Sequence, residues 1–404
     1  MKTTYFSVLV FLICSFSFTG KIKAQSRAAS YSPEIQALVD NVQIDTMWNM
    51  LTYLQTSERF TLSPGSFTTA SYLKSYMKTM GFDSVYFQNY PIIGSSFVSP
   101  NIIGIKFGQG NPDSIYIACA HWDAYTSMAP GADDNGSGTV SVLESARVLL
   151  KQKYRNTLKF CLFSGEEEGL YGSSNYVQVS AGDKIGAALN LDMVSYQDPG
   201  FALRIGMFPK QGELTLYKKV KALQQLYVPG IEVGKENGCP YECTDVYPFW
   251  AAGYDGLFFF ESSDFGNHET PYYHTPSDVV NTSANSQPKL KLTTQIIVAS
   301  LATFAQIYQS TSIDKYNPIA TLSTYPNPFS TDTKITFQLI KNANITLTLT
   351  DITGKIIIKL IDNEYKTTGI YEIPIDASLL ENGMYLYNLC SDNGSFTRKM
   401  IRIE

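Results

Sequence analysis

Histidines and acidic residues follow directly after several short apolar runs of the chain. His121 and Asp123 come after SIYIACA, Glu166, Glu167 and Glu168 after LKFCLFS, Asp192 after AALNL, and His274 in the loop after GLFFFES. A glycine-rich loop, APGADDNGSG, adds Asp133 and Asp134. The chain has only three histidines, and two of them belong to this set. We therefore interpret the set as one chemical site rather than as unrelated surface residues.

Imidazole and carboxylate ligands without thiolates favour zinc or a similar divalent metal. Two divalent ions bring four positive charges, which three carboxylates and one hydroxide balance. Two histidines and three acids therefore suffice for a two-metal hydrolytic site, provided that one acid bridges the ions. A further carboxylate is then needed as general base. Two such ions would also offset the repulsion among the three adjacent glutamates.

The elements that must position these residues alternate along the chain. Apolar runs such as NIIGIKF, SIYIACA, LKFCLFS and GLFFF read as buried strands, and segments at 137–152, 212–226 and 244–252 read as helices between them. Ser32 and Pro33 predict the start of a first helix, and a last helix is expected over about 287–309. This order predicts an α/β domain with a mostly parallel central sheet flanked by helices. Ligands bind at the carboxyl ends of the strands in such sheets, where the candidate residues stand.

Changes in composition divide the chain into four parts. Residues 1–24 read as an export signal with cleavage after Ala24, the alternative being a retained anchor. Residues 25–310 form the α/β domain, and residues 311–323, rich in Ser, Thr, Asn and Pro, read as a linker. Residues 324–404 alternate polar and apolar residues and predict a small all-β sandwich domain. This last part has no histidine and one cysteine, so we expect no chemistry there.

Charge, hydropathy and cysteine usage narrow the partners. The net charge is −5 and no basic cluster exists, so a nucleic-acid partner is not expected. Beyond the signal no long uncharged apolar run predicts a transmembrane segment of the mature protein. Cys119 and Cys161 lie in apolar runs and are expected to be buried thiols. Cys239 and Cys243 fit a small-loop disulfide in an oxidising compartment, or a metal-binding pair.

The motif series AHWDAY, PGADDNGSG, SGEEEGLYGS, LNLDM and YYHTPSD resembles that of the M28 family of zinc aminopeptidases, over about residues 30–310. The resemblance implies a zinc exopeptidase fold and two zinc ions per chain. The roles that it implies for the site residues are as follows: His121 and Asp192 bind one ion, Glu167 and His274 bind the other, Asp134 bridges both, Glu166 is the general base, and Asp123 orients His121.

The same resemblance bears on a loop and on three neighbouring residues. It implies a disulfide between Cys239 and Cys243 and places Tyr241 beside the substrate pocket. Val246 stands where some members have a histidine, so no role follows for Asp245. No family role transfers to Glu168, which is expected to face solvent, or to His268, which is expected to be a loop residue.

The C-terminal part resembles the sorting domain of the type IX secretion system. The resemblance rests on YPNPF near its start, GMY at 383–385 and the basic, apolar finish RKMIRIE. It implies a protein that is secreted by, or held at the surface of, a bacterium of the Bacteroidetes type, with the secretion machinery as a partner. The alternative is an adhesive or carbohydrate-binding sandwich, although all three tryptophans precede the linker.

These observations predict a secreted metallo-aminopeptidase acting on peptides with a free N-terminus. The alternative enzymes are a glutaminyl cyclase, which shares the fold but binds one zinc, and a carboxypeptidase of the same clan. The sequences GADDNGSG and EEEGLYGS favour the peptidase over the cyclase. A non-catalytic binding protein built on a degenerate peptidase is the other class, but all six inferred ligand and base positions hold competent residues.

Overall fold

A computed structural model describes residues 30–92, 94–95, 97–234, 244–262, 267–308, 318–391 and 394–403. Four predictions fall wholly or partly outside these residues: the export signal at 1–24, the pairing of Cys239 with Cys243, the place of Tyr241, and most of the linker. Cys119 and Cys161 are buried and unpaired, as predicted.

The first domain consists of helices packed on one large sheet. Its described helices are α1 (Pro33–Asp40), α2 (Ile44–Leu54), α3 (Ser66–Lys78), α4 (Gly138–Leu149), α5 (Tyr171–Val179), α6 (Thr215–Tyr227), α7 (Tyr247–Ala251) and α8 (Gln287–Ala305). Its described strands are β1 (Ser84–Pro91), β2 (Val98–Lys106), β3 (Asn111–His121), β4 (Asn156–Phe163), β5 (Lys184–Leu191), β6 (Arg204–Pro209), β7 (Glu232–Val233) and β8 (Gly256–Phe260). The predicted cap of α1 is present, because the Ser32 side chain accepts a hydrogen bond from the amide of Ile35.

The sheet is parallel in its centre and mixed towards its edges. Its strand order is β1-β2-β4-β3-β5-β8-β6-β7. The four central strands, β4, β3, β5 and β8, run parallel to one another, whereas β1 with β2, β2 with β4, and β6 with β8 pair antiparallel. The edge strand β7 pairs parallel with β6, so the described sheet is parallel in its centre, as predicted, and mixed on its flanks. The connection from β1 to β2 is too short for the crossover that a parallel pair needs.

Helices α4 and α8 pack on the central strands and close the core. Leu143 and Ala146 of α4 and Ile297 and Leu301 of α8 are buried in one cluster with the inward side chains of the sheet. Helix α4 begins beside the carboxyl ends of the strands, directly after an irregular helical turn, Ala132–Ser137. This turn contains Asp133 and Asp134 of the glycine-rich loop, so the packing of α4 against the core determines the position of both acids.

The second domain is an antiparallel β-structure of two sheets. Its described strands are β9 (Ile319–Tyr325), β10 (Thr333–Leu339), β11 (Ala343–Thr350), β12 (Ile356–Lys366), β13 (Gly369–Ile375), β14 (Gly383–Ser391) and β15 (Gly394–Arg402). The sheets have the orders β13-β10-β9 and β12-β11-β14-β15, and both contribute to one buried cluster, as in a sandwich. Strand β9 begins at Ile319, within the segment 311–323 that the composition predicts to be a linker. The sequence of β9, IATLSTY, is rich in serine and threonine like the segment before it, so composition alone does not distinguish this strand from the linker.

The two domains touch at the amino ends of the central strands. Arg398 Nη1 lies 2.6 Å from Asp113 Oδ1 near the start of β3, and Lys399 Nζ lies 2.8 Å from Asp183 Oδ1 just before β5. The rings of Tyr86 and Tyr325 have centroids 5.4 Å apart. The carboxyl ends, where the candidate site lies, are thus left clear of these contacts. Among the described helices, none combines the length and apolarity needed to cross a membrane.

Candidate metal centre

Five of the predicted side chains converge into two groups that share one residue. His121 Nε2 lies 3.4 Å from Asp134 Oδ1 and 3.4 Å from Asp192 Oδ1. His274 Nε2 lies 2.9 Å from Glu167 Oε2 and 3.2 Å from Asp134 Oδ2. Each group could hold one cation. Asp134 therefore presents one carboxylate oxygen to each group, which is the geometry of a bridging ligand.

Separate elements deliver these five residues to one edge of the sheet. His121 is the last residue of β3, and Asp192 follows β5, with its backbone amide donating to Phe259 O of β8 at 3.0 Å. Glu167 lies in the turn after β4, and His274 lies in the loop that leads from β8 to α8. Parallel strands end at a common edge, so four sequence-distant segments meet there, as the order of the motifs predicts.

Backbone contacts hold the loop that carries Asp134. The carboxylate of Asp278 accepts hydrogen bonds from the amides of Asp133 at 2.9 Å and Asp134 at 3.1 Å. Gly131 has φ 61°, and a Cβ there would clash with the carbonyl oxygen of Asp134 and with the guanidinium of Arg59. The position of the shared carboxylate is thus set by the backbone and not by its own rotamer alone.

The donor set fits divalent cations. Two ligand atoms that each lie about 2.1 Å from one tetrahedral zinc are about 3.4 Å apart. The separations of 3.4 Å in the His121 group equal this value, and those of 2.9 and 3.2 Å in the His274 group are shorter. Asp134 Oδ2, Glu167 Oε1, Asp192 Oδ1 and His274 Nε2 are shielded from solvent, and the contacts that three of them make within the two groups lack hydrogen-bond geometry. Buried polar atoms without partners are costly, so their clustering indicates a site that a cation completes.

The acids and imidazoles of the site have strongly shifted pKa values. Burial, together with the neighbouring Asp134, raises the pKa of Glu167 to about 8. Burial also raises the pKa of Asp192. For His274, burial favours the neutral ring, but Asp134 and Glu167 outweigh it and raise its pKa to about 9. For Asp134, burial is likewise outweighed, here by the two histidines, which lower its pKa. The protonation of each of these groups therefore depends on its charged neighbours as well as on its burial.

Glu166 and Asp123 stand next to the ligand groups. Carboxylate oxygens of Glu166 and Glu167 and a ring nitrogen of His121 lie within 4.8 Å of one another. Burial raises the pKa of Glu166 well above its ordinary value. Asp123 Oδ1 lies 3.4 Å from His121 Nδ1, the ring nitrogen that points away from the ligand group. The two acids are thus placed where a base and an orienting carboxylate would be needed.

Glu168 and His268 differ in their relation to the site. Glu168 is half-buried with one shielded oxygen, and burial, with Asp123 nearby, raises its pKa to about 7. The expectation that it faces solvent is therefore wrong, because the turn after β4 leaves this side chain half-buried with one oxygen shielded. His268 belongs to none of the metal groups found among the described residues. Its Nδ1 lies 2.7 Å from Asp198 Oδ2 in a surface loop, as expected.

Sequence reasoning missed several residues around the centre. The rings of Tyr125 and Tyr273 each stack on His274 with centroids 3.7 Å apart, which places them on opposite faces of the imidazole. Asp245 is buried, and burial raises its pKa to about 7. The motif HTPSD contains Asp278, so its sequence signal was available. Tyr125 and Tyr273 lie within the motifs AHWDAY and YYHTPSD, but an exposed tyrosine alone carries no signal.

Family comparison identifies the domain that holds the centre. Residues 101–300 match peptidase family M28, and residues 323–404 match a secretion system C-terminal sorting domain. Residues 101–300 belong to peptidase family M28. The chain is therefore an enzyme of the peptidase class, which confirms the prediction from the motif series. The sorting domain predicted from the last part of the chain is confirmed as well.

Curated relatives of the M28 domain are named aminopeptidases. A probable leucine aminopeptidase of Arthroderma otae is 29% identical over 272 residues, which are 63% of this chain and 71% of that protein. A probable leucine aminopeptidase of Trichophyton verrucosum is 36% identical over 166 residues. The latter match covers 39% of this chain and 43% of that relative, so the chain spans less than half of its length.

Solved structures share the fold at low sequence identity. The LapA aminopeptidase of Legionella pneumophila superposes with a TM-score of 0.62 at 23% identity, covering 75% of this chain and 81% of that one. A zinc aminopeptidase of Bacillus subtilis gives 0.57 at 18%, with 66% and 98% covered. A glutaminyl cyclase of Porphyromonas gingivalis gives 0.53 at 20%, with 65% and 99% covered. These likenesses show the fold of the M28 domain and do not separate the two activities.

Proposed function

We propose that the chain is a secreted di-zinc aminopeptidase that removes N-terminal residues from peptides. The observation that carries the proposal is the placement of Asp134, whose two oxygens face His121 and His274 separately. A one-metal site has no use for a shared carboxylate between two ligand groups. His121 and Asp192 would hold one ion, Glu167 and His274 the other, and Asp134 both.

Two zinc ions bound there would supply Lewis-acid chemistry to a peptide carbonyl and a water molecule. Glu166 accepts a proton from the attacking water and gives it to the nitrogen of the leaving amine, so the carboxylate is regenerated. Asp123 orients the ring of His121 through Nδ1, which keeps Nε2 turned to the ligand group. Burial of the ligand groups excludes bulk water from the reacting atoms.

The sorting domain supports export as the setting of this activity. We assign residues 1–24 to passage across the inner membrane and the C-terminal domain to the type IX machinery. The enzyme then acts outside a cell of the Bacteroidetes type, either free or held at the surface. Peptides with a free N-terminus are the substrates that such a location and the relatives' names support.

A peptide panel tests the activity. Pairs of peptides with free and acetylated N-termini, and pairs with free and amidated C-termini, are incubated with the zinc-loaded full chain. We expect release of the N-terminal residue only from chains with a free amino group, whatever the C-terminus. Equal cleavage of both members of the N-terminal pairs, or dependence on the C-terminal carboxylate, would refute the aminopeptidase. Cyclisation of an N-terminal glutamine without hydrolysis would establish the cyclase instead.

A further inference from the structure

A short segment between α2 and α3 lies against the metal centre from outside the family match. Residues 59–61 precede the matched range 101–300 by some 40 positions along the chain. Phe60 forms an isolated parallel β-bridge with Ala124, and the amide of Ala124 donates to Arg59 O at 3.2 Å. We call residues 59–61 the brace. It is fixed to the loop that follows His121.

Arg59 ties two ligand loops together through one buried guanidinium. The residue is 1% exposed. Its Nη1 donates to Trp122 O at 3.0 Å, and its Nη2 donates to Pro130 O at 2.6 Å and to Gly131 O. Trp122 is the neighbour of the ligand His121, and Gly131 opens the turn that carries Asp134. A rigid planar fork between three carbonyls therefore sets the separation of these two loops.

Thr61 ties the first of these loops to the glutamate turn. Its hydroxyl donates to Asp123 Oδ2 at 3.0 Å and accepts from the amide of Gly165 at 3.2 Å. A hydroxyl has one hydrogen and two lone pairs, so both bonds can form at once. Asp123 is the carboxylate beside His121, and Gly165 lies two residues before Glu167. One buried hydroxyl thus links the loop that follows His121 to the turn that carries Glu167.

We infer that Arg59 and Thr61 are positioning residues of the metal centre. Together they hold the loops of His121, Asp134 and Glu167 at the spacing that two divalent ions need. This inference about the brace depends on the proposed di-zinc site but does not depend on the identity of the substrate. Supporting hydrogen bonds around metal ligands affect metal affinity or activity about 10–100-fold when they are removed. The effect expected here is of that size.

Three threonine variants test the inference in the full chain. Thr61→Val keeps the shape and removes the hydroxyl, whereas Thr61→Ser keeps the hydroxyl. Thr294→Val is the matched control, since its buried hydroxyl donates only within α8, to Leu290 O at 2.8 Å. Zinc affinity is measured by competition with a chelator, kcat and KM are measured on one peptide, and the melting temperature is measured on metal-free protein.

We expect Thr61→Val to lose about 10–100-fold in zinc affinity and to lose kcat more than KM changes. Thr61→Ser should stay near the wild type, and Thr294→Val should change neither quantity. The metal-free melting temperature should fall more for Thr61→Val, which leaves a buried amide and a carboxylate oxygen without this partner, so zinc affinity is compared where both variants are folded. If Thr61→Val binds zinc and turns over like Thr294→Val, the brace has no positioning role.

A charge-retaining variant keeps the test decisive if the valine variant does not fold. Arg59→Lys keeps the positive charge but cannot span three carbonyls, so zinc affinity should again fall about 10–100-fold. Unchanged zinc affinity in a folded Arg59→Lys protein would overturn the inference. Failure of the proposed activity is separable, because it appears as zinc binding by the wild type without peptide hydrolysis. Failure of the brace appears as unchanged zinc binding in the variants.

Discussion

At the scale of single residues, the adjacent glutamates of the turn after β4 have different environments. Glu167 Oε2 faces His274 in one ligand group, whereas Glu166 lies beside His121 and Glu167. Glu168 is half-buried on the side of Asp123 and Thr61. These three adjacent glutamates thus contact different residues, and we expect them to have different roles.

Replacement of the base tests the role of Glu166. Glu166→Gln keeps the size of the side chain but cannot accept the proton, so kcat should fall about 100-fold or more. Zinc content and melting temperature should remain those of the wild type, because no ligand is lost. Turnover and metal analysis on the same preparation check both statements. Near-normal turnover would assign the base elsewhere, and loss of one zinc would make Glu166 a ligand.

The shifted pKa values predict how stability depends on pH and zinc. Glu167, with a folded pKa of about 8, and His274, with about 9, both bind more protons folded than unfolded. Their contributions are therefore present at low pH and are lost as pH rises through about 4.5–9. Zinc replaces these protons, so its stabilising effect should grow over the same range.

Melting temperatures of metal-free and zinc-loaded protein at pH 6, 7, 8 and 9 check this dependence. The difference between the two forms should widen at each step, since the metal-free form loses stability while the ligands become free to bind. A difference that stays constant or narrows with rising pH would show that these side chains do not exchange protons for metal.

At the scale of elements, the turn Ala132–Ser137 connects the core to the centre. Gly131, the residue before this turn, has a left-handed backbone conformation. A Cβ at this position would collide with the carbonyl oxygen of Asp134 and with the guanidinium of Arg59. The sequence marks this loop as glycine-rich but does not say which glycine is obligatory. That follows only once Arg59 is placed, 72 residues away along the chain.

A pair of glycine substitutions separates backbone strain from the metal centre. Gly131→Ala should destabilise the fold by about 1–3 kcal/mol through its positive φ and should also weaken zinc binding. Gly81→Ala is the matched control, with φ 92° and no atom within 4 Å of its added Cβ. Denaturant unfolding and zinc titration of both variants check this. Equal zinc affinity in the two variants would show that the backbone conformation at Gly131 does not affect zinc binding.

Sequence patterns predicted the central elements well and their surroundings poorly. The apolar runs before His121, Glu166 and Asp192 are strands β3, β4 and β5, and their common direction brings the ligands together. The antiparallel flanks and β9 were missed, because strand direction and a polar alternating strand leave little trace in composition. Arg59 and Thr61 were missed because their partners are distant in sequence and only the fold brings them near.

At the scale of the whole molecule, the candidate metal centre and the sorting domain lie at opposite ends of the central strands. The sorting domain contacts Asp113 and Asp183 near the starts of β3 and β5. His121 ends β3, eight residues and about 26 Å from Asp113 along an extended strand. These contacts therefore lie at the end of the strands opposite to the metal-binding residues.

Removal of the tail should therefore leave catalysis unchanged. A protease site placed within residues 309–317 allows the two domains to be separated after folding. We expect kcat/KM to stay within about twofold of the intact chain, because the ion pairs that join the sorting domain to the M28 domain lie near the starts of β3 and β5. An assay before and after cleavage checks this. A large rise in activity on cleavage would instead make the tail an inhibitor.

Zinc titration of metal-free protein tests the central claim, the shared role of Asp134, most directly. Bound zinc per chain is measured together with release of N-terminal residues, for the wild type and for Asp134→Asn. The account predicts two zinc ions per wild-type chain, activity that depends on them, and weakened binding of both ions in the variant. One tightly bound ion in the wild type, or a variant that still binds two as tightly, would contradict it.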